Sequence, residues 1–415
     1  MRMRSIFQLM IVVAAGLLSA CIGGSGKPAG TISGAPTPNT MALTVDSGPA
    51  AATGAINHPY VTVKVCAAGS QTQCVNIDHV LLDTGSSGLR LVRSVLAAGA
   101  VTLSTAADAQ GHAIEECVTF GGGQTWGPVA FADVTLAGEV ATKLPVQVMD
   151  DTAAAAPPPA TCGANGTLIN GVSGFAANGV LGVGVFAQDC GAACVAATTP
   201  LPLYYGCTTA GVCTAENIAL PDQVTNPVSM FPSDNNGIIV SLPNLINANG
   251  DSSVQGELTF GIATQADNSL PVTGLTVLGA DPETGDFTAT YNGGTAQLQA
   301  LIDSGTDAYA FDDPTMAACT SSAGVFIGYY CPAVSPQSVF AVNAGVGVNN
   351  ASSTVQFAIA DPTTFVANAA AFINLARVGG SARFTYGMPF FYNRKIYVGI
   401  DQRATGIYTG PYYAY

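Results

Sequence analysis

Apolar and polar residues alternate along much of this chain, with a period of two rather than the three to four of a helix. Tyr60 to Val65 alternates and reaches Cys66. After the turn Ala67 to Ser70 and Cys74, Val75 to Leu82 reads as the returning strand. Phe131 to Leu136 and Leu144 to Met149 form a second predicted hairpin, about Ala137-Gly138. Ile238 to Leu242 and Glu257 to Phe260 flank a loop with Asn249-Gly250-Asp251. Phe287 to Tyr291 and Ala296 to Ile302 flank Asn292-Gly293-Gly294, a strong hairpin signal. One segment reads as a helix: Asp361 to Ala376, with Asp361 as N-cap and Pro362 in the first turn. Residues 150–179 and 186–225 read as loop-rich insertions, the second holding four cysteines.

A largely apolar run, Ile6 to Leu18, lies behind Arg2 and Arg4 and is too short to span a bilayer comfortably. It ends in Leu18-Ser19-Ala20-Cys21, which resembles a bacterial lipoprotein lipobox. The resemblance implies a signal peptide over residues 1–20 and a lipid on Cys21. Ile22, where an Asp would signal inner-membrane retention, points to the outer membrane. Residues 21–55 are rich in Gly, Ala, Ser, Thr and Pro and read as a flexible tether.

Composition narrows the class. The 415 residues are 48% hydrophobic and only 9% charged, with 48 Gly and 24 Pro, which suits many short strands joined by tight turns. The net charge of −14 repels phosphate backbones and argues against a nucleic-acid partner. Of 11 cysteines, setting Cys21 aside leaves an even number. Cys66/Cys74, Cys190/Cys194, Cys207/Cys213 and Cys319/Cys331 lie close in sequence, and Cys117 and Cys162 remain. These allow disulfides in an oxidising compartment, but spacing does not fix the connectivity. The three His stand apart from those cysteine pairs, so a structural metal is not expected.

Two acidic turns carry the candidate chemistry. Val80-Leu81-Leu82-Asp83-Thr84-Gly85-Ser86 and Ala300-Leu301-Ile302-Asp303-Ser304-Gly305-Thr306 share one pattern: apolar residues, Asp, hydroxyl, Gly, hydroxyl. An Asp that ends a buried strand needs hydrogen-bond donors, and Ser86 and Thr306 are placed to supply them. Gly85 and Gly305 let the backbone approach closely. Thr84 and Ser304 are placed to bond across a pseudo-twofold axis. If the turns meet, the two carboxylates share one proton. The ionised one activates a water, and the protonated one hydrogen-bonds to a substrate carbonyl.

These motifs resemble those of the pepsin-like aspartic peptidases. Val180 to Gly184, Gly256 to Gly261 and Phe390 to Asp401 are similar to further elements of that family and follow its order. More narrowly, the chain resembles uncharacterised bacterial pepsin-like lipoproteins. The resemblance implies an all-β, bilobal double barrel with a cleft between the lobes and a few short helices. It divides the chain into an N-terminal lobe over 56–265, carrying the cysteine-containing insertions, and a C-terminal lobe over 266–415. It also implies a monomeric endopeptidase that binds an extended peptide and uses Asp83 and Asp303, with no metal or organic cofactor. A flap over Val118 to Gly127 would place Phe120, Gly121 and Gly122 at the cleft, Phe120 standing where the family has Tyr, and Trp126 is a second aromatic placed to cover it. Arg90 stands where the family usually has a Trp that supports the flap. Asp307 is read either as raising the pKa of the pair or as facing solvent. His58, His79 and His112 read as surface or turn residues, and Asp78, Glu115 and Glu116 as solvated charges. The competing reading is a catalytically silent pepsin fold serving as an envelope or binding lipoprotein. A weaker one, the phosphate-binding turns of the actin and sugar-kinase group, is disfavoured by the export signal and the scarcity of crossover helices.

Overall fold

A computed structural model describes residues 39–152, 157–162, 167–271 and 273–415. Cys21 and the signal segment lie outside these residues. Strands dominate, and the α-helices among the described residues are the short Arg93–Ala98 and Val172–Phe175. None is long and apolar enough to cross a membrane.

Two sheets organise the chain. The larger has 16 strands and collects most of the first half, from Thr40–Asp46 to Val254–Phe260, and also Arg394–Gly399 and Tyr412–Ala414 from the C-terminal end. The lobe boundary expected at 265/266 is therefore not a sheet boundary. The smaller has seven strands, between Phe287–Tyr291 and Arg383–Tyr386. Inward positions hold Val, Leu, Ile and aromatic residues in one large apolar cluster, including Val80, Leu82, Leu181, Ile302, Phe384 and Tyr386. The predicted hairpins form as read: Val129 to Leu136 pairs with Glu139 to Gln147, and Phe287 to Ala289 with Leu298 to Ala300. This is the all-β fold class expected from the sequence, with few and short helices among the described residues.

The same local topology occurs twice. Cys74–Asp83 runs parallel to Gly179–Val183, with Asp83 opposite Gly182, and Ser87–Val92 returns antiparallel along the other side of that strand. In the smaller sheet Leu298–Ile302 runs parallel to Arg383–Tyr386, and Tyr309–Phe311 meets it antiparallel. Each acidic turn is thus the link between two strands that clasp a third. Five disulfides form: Cys66–Cys74, Cys117–Cys162, Cys190–Cys194, Cys207–Cys213 and Cys319–Cys331. They place the chain in an oxidising compartment.

Two expectations need correction. Residues 39–55 are not tether: Thr40–Asp46 is a strand between His58–Ala67 and Val254–Phe260, with Leu43 and Val45 fully buried. Its Met-Ala-Leu-Thr-Val alternation is a strand signal hidden in a Gly/Ser/Pro-rich context. The helix expected over 361–376 shrinks to the 3₁₀ turn Pro362–Thr364. Asp361 does cap it, accepting from the Thr363 N–H at 2.9 Å. The backbone then extends, because Phe365 stacks on Phe372 at 4.7 Å and Ala371 bridges Asp251. Tertiary contacts take the groups that a helix would need.

Candidate active site

Each acidic turn begins where a buried strand ends. Val80, Leu81 and Leu82 are 4% exposed or less and deliver Asp83, itself 6% exposed. Asp83 Oδ1 accepts the Gly85 N–H at 2.8 Å, and Oδ2 accepts the Ser86 hydroxyl at 2.5 Å. The second turn repeats this, with Gly305 N–H on Asp303 Oδ1 at 2.8 Å and Thr306 Oγ1 on Oδ2 at 2.6 Å. Both turns satisfy their carboxylate from within, as the sequence predicts.

The turns are also bolted to one another. Thr84 Oγ1 donates to the Ile302 carbonyl at 2.8 Å and accepts the Ser304 N–H at 2.9 Å. Ser304 Oγ donates to the Leu82 carbonyl at 2.6 Å and accepts the Thr84 N–H at 3.1 Å. Both side chains are buried, so the four bonds are shielded from water. The glycines cross over. A Cβ on Gly85 would lie 2.5 Å from Asp303 Cγ, and one on Gly305 would lie 2.7 Å from Asp83 Oδ1. Each carboxylate therefore sits against the opposite turn.

This crowding sets the charge state. The carboxyl of Asp303 keeps some surface toward the cleft but is closely surrounded by protein. Its pKa is pushed up to about 8, first by desolvation and then by the charge of Asp83 and a hydrogen bond with it; Thr306 and Gly305 oppose the shift. Two carboxyls held this close titrate as a unit, and one proton kept between them is the arrangement a shared-proton pair requires.

Cavities open on both sides of the pair. One, of about 400 Å³, is lined by Asp83 and Asp303 together with Arg90, Asp189, Asp286 and Arg383. The other, of about 670 Å³, has apolar walls including Ile56, Leu81, Phe175 and Val180. Phe120 and Gly121 line both cavities, and Gly122 the second, so the tip of the hairpin Ala113–Phe120/Gly123–Leu136 stands between them, as expected of a flap. The Phe120 ring meets Phe175 edge-on at 5.1 Å and lies over the Arg90 guanidinium at 5.5 Å.

Trp126 does not cover the cleft. It is fully buried, edge-on to Tyr205 at 5.5 Å, in a cluster with Cys117 and Cys162. At that position on the strand its side chain falls on the inner face. Glu115 and Glu116 are not solvated either, at 4% and 0% exposure. Burial and the neighbouring Asp150 push the Glu115 carboxyl up to about 8. Glu116 belongs to a buried cluster under the flap that the sequence reading missed. Arg90 Nη2 reaches Glu116 Oε1 at 2.7 Å and Asp189 Oδ2 at 3.0 Å, and Tyr204 donates to Asp189 Oδ1 at 2.6 Å. Arg90 thus supports Phe120 by charge and stacking. The available signal was an Arg inside the otherwise apolar Leu89-Arg90-Leu91, which calls for a buried partner.

Asp307 lines the larger cavity together with the pair, partly buried and held by its own partners. Tyr329 donates to its Oδ2, and Arg377 Nη1 lies 3.3 Å from Oδ1. Of the histidines, His58 stacks on Tyr60, His79 lies between Asp46 and Asp78, and His112 pairs with Asp108. The Arg383–Asp286 pair was not singled out from the sequence, because its two members lie far apart in the chain and match no motif.

Residues 35–415 match the model of the family described as "Protein of unknown function (DUF3443)", and the chain belongs to that family. No curated protein matches it. Among solved structures it is similar to the crystal structure of an aspartic proteinase from Irpex lacteus. The TM-score is 0.47 and the identity 17%, over 90% of this chain and 96% of that one.

Proposed function

We propose that the protein is an aspartic endopeptidase that acts outside the cytoplasm and is held at the bacterial cell envelope, in the outer membrane, by a lipid on Cys21. The observation that carries this reading is the crossed packing of Gly85 on Asp303 and of Gly305 on Asp83. Two turns that merely capped themselves would have no need to press each carboxylate against the other's glycine. In this reading the ionised member of the Asp83–Asp303 pair takes a proton from a water between the carboxylates. The protonated member donates to the carbonyl oxygen of the scissile bond, whose carbon the water attacks. The proton acquired by the pair then passes to the leaving nitrogen as the C–N bond breaks, and no covalent intermediate forms. Ser86 and Thr306 hold the carboxylates, and Thr84 and Ser304 hold the turns. Phe120 closes over an extended peptide without contributing a hydroxyl.

The test is digestion of denatured proteins by the purified chain from acid to neutral pH, read by mass spectrometry of new termini. Cleavage that Asp83→Asn and Asp303→Asn each abolish, with folding retained, supports the reading. Absence of cleavage at every pH leaves the silent, binding form of the fold, which the missing flap hydroxyl at Phe120 favours.

A further inference from the structure

Four carboxylates and two arginines line the smaller cavity beside the aspartates, and the arginines there keep N–H groups without a partner. In it, Asp189 and Asp286 bring four carboxylate oxygens, each already accepting a hydrogen bond. Asp189 accepts from Tyr204 and Arg90, and Arg383 Nη2 reaches both oxygens of Asp286 at 2.6 Å. The arginines are less fully used. Arg90 is 1% exposed and its Nε–H has no partner. Arg383 has a side chain 45% exposed and makes its hydrogen bonds through Nη2 alone, which leaves Nε and Nη1 open. A guanidinium clamped on one edge by a buried carboxylate is held in place, and its remaining N–H groups present a planar fork to oxygen acceptors.

We propose that this cavity is a specificity pocket for a substrate side chain that ends in a planar oxygen acceptor, the glutamine and glutamate class, read by Arg383 with Arg90 behind it. The proposal deepens the peptidase reading and rests on it for the identity of the ligand as a peptide. An apolar side chain placed there would leave the arginine donors unpaired and desolvated, which costs binding. The opposite cavity has apolar walls at Ile56, Leu81, Phe175 and Val180 but also contains Arg377, whose Nη1 is turned to Asp307, so the peptides are varied at both flanking positions.

The test uses non-cleavable peptides in which a reduced amide replaces the scissile bond. They are identical except for Gln, Glu, Leu or Lys at either flanking position. Affinities for the full chain are read by calorimetry. The expected result is that Gln or Glu, at one of the two positions, binds about tenfold or more tighter than Leu and Lys. Gln alone identifies the neutral amide as the ligand, and Glu alone the carboxylate. Arg383→Lys keeps a cation for Asp286 but removes the fork, so it should erase the preference while Leu peptides bind as before and the melting temperature holds. Equal or tighter binding of Leu or Lys, an unchanged preference in Arg383→Lys, or no binding by any peptide overturns the proposal. The unreduced parent peptides separate the two readings. If they are not cut while the reduced ones show the preference, hydrolysis fails and the pocket stands.

Discussion

Gly85 lies directly against the carboxylate of Asp303, 220 residues beyond Asp83 in the pseudo-symmetric arrangement, so that a single added methyl would come 2.5 Å from its Cγ. The contact joins the two halves at the point where chemistry is proposed. Gly85→Ala must push Asp303 away or open the turns, and overpacking of this kind costs about 1–3 kcal/mol. The expected outcome is a folded protein, less stable by that amount in urea unfolding, whose peptide hydrolysis falls at least a hundredfold. A variant with undiminished hydrolysis would show that the close approach is not required.

The raised pKa of Asp303 makes stability depend on pH in a defined direction. In the unfolded chain its carboxyl loses its proton near the ordinary Asp value of about 4. In the folded chain it holds the proton to about 8. Between these values the folded state binds more protons, so stability falls as pH rises, and the contribution is complete only above about 8. Asp303→Asn should flatten this part of the stability profile, by at most a few kcal/mol. Hydrolysis should decline over the same upper range as the shared proton is lost. Urea midpoints and initial rates from pH 4 to 9 check both; a profile of the same slope in Asp303→Asn removes Asp303 as the cause.

Under the flap, one arginine serves two acids. Arg90→Leu would strand Asp189 and Glu116 in a buried site, a change that costs about 3–5 kcal/mol when a buried pair is broken. Burial, the largest influence on Glu116, raises its carboxyl pKa well above the usual range, which favours the protonated form. Glu116→Gln should therefore cost less than about 1 kcal/mol, because an amide reproduces that form. Thermal unfolding of the two variants should differ clearly. Equal losses would mean that Glu116 is ionised and needed as a charge.

The parts of this site that could be read in the chain are those whose chemistry is local. Asp-Thr-Gly-Ser and Asp-Ser-Gly-Thr contain their own donors, their own tight turn and the hydroxyls that lock them, so each motif states its function in a few residues. Arg90, Glu116 and Asp189 are legible only once the strands Ser87–Val92 and Ala113–Phe120 have been placed in one sheet system, because a charge on a strand does not announce which face it takes. Trp126 was misplaced for the same reason. The segment 361–376 failed differently: its capping signal was correct, but contacts with Phe372 and Asp251 outweighed local propensity.

Asn57 ties the N-terminal segment to the C-terminal half and carries the last prediction. It is 1% exposed and adopts φ 54°, a left-handed conformation that Asn tolerates well. Its Nδ2 donates to the carbonyls of Asp307 at 2.7 Å and Phe372 at 2.9 Å. Its Oδ1 accepts from the Phe372 N–H at 2.7 Å and the Tyr392 hydroxyl at 2.8 Å. Truncation would leave the Phe372 N–H and the Tyr392 hydroxyl, both buried, without this acceptor. At about 1–3 kcal/mol for each unsatisfied group, Asn57→Ala should lose several kcal/mol. Asn57→Gly keeps the backbone conformation and removes the same bonds, so it separates strain from hydrogen bonding. If both variants lose similar stability in urea unfolding, the side-chain bonds hold the segment. If Asn57→Gly remains near wild type, the backbone conformation alone explains the Asn. Because residues 52–56 and His58 help line the larger cavity, the same loss should expose this segment to proteolysis before the rest of the chain.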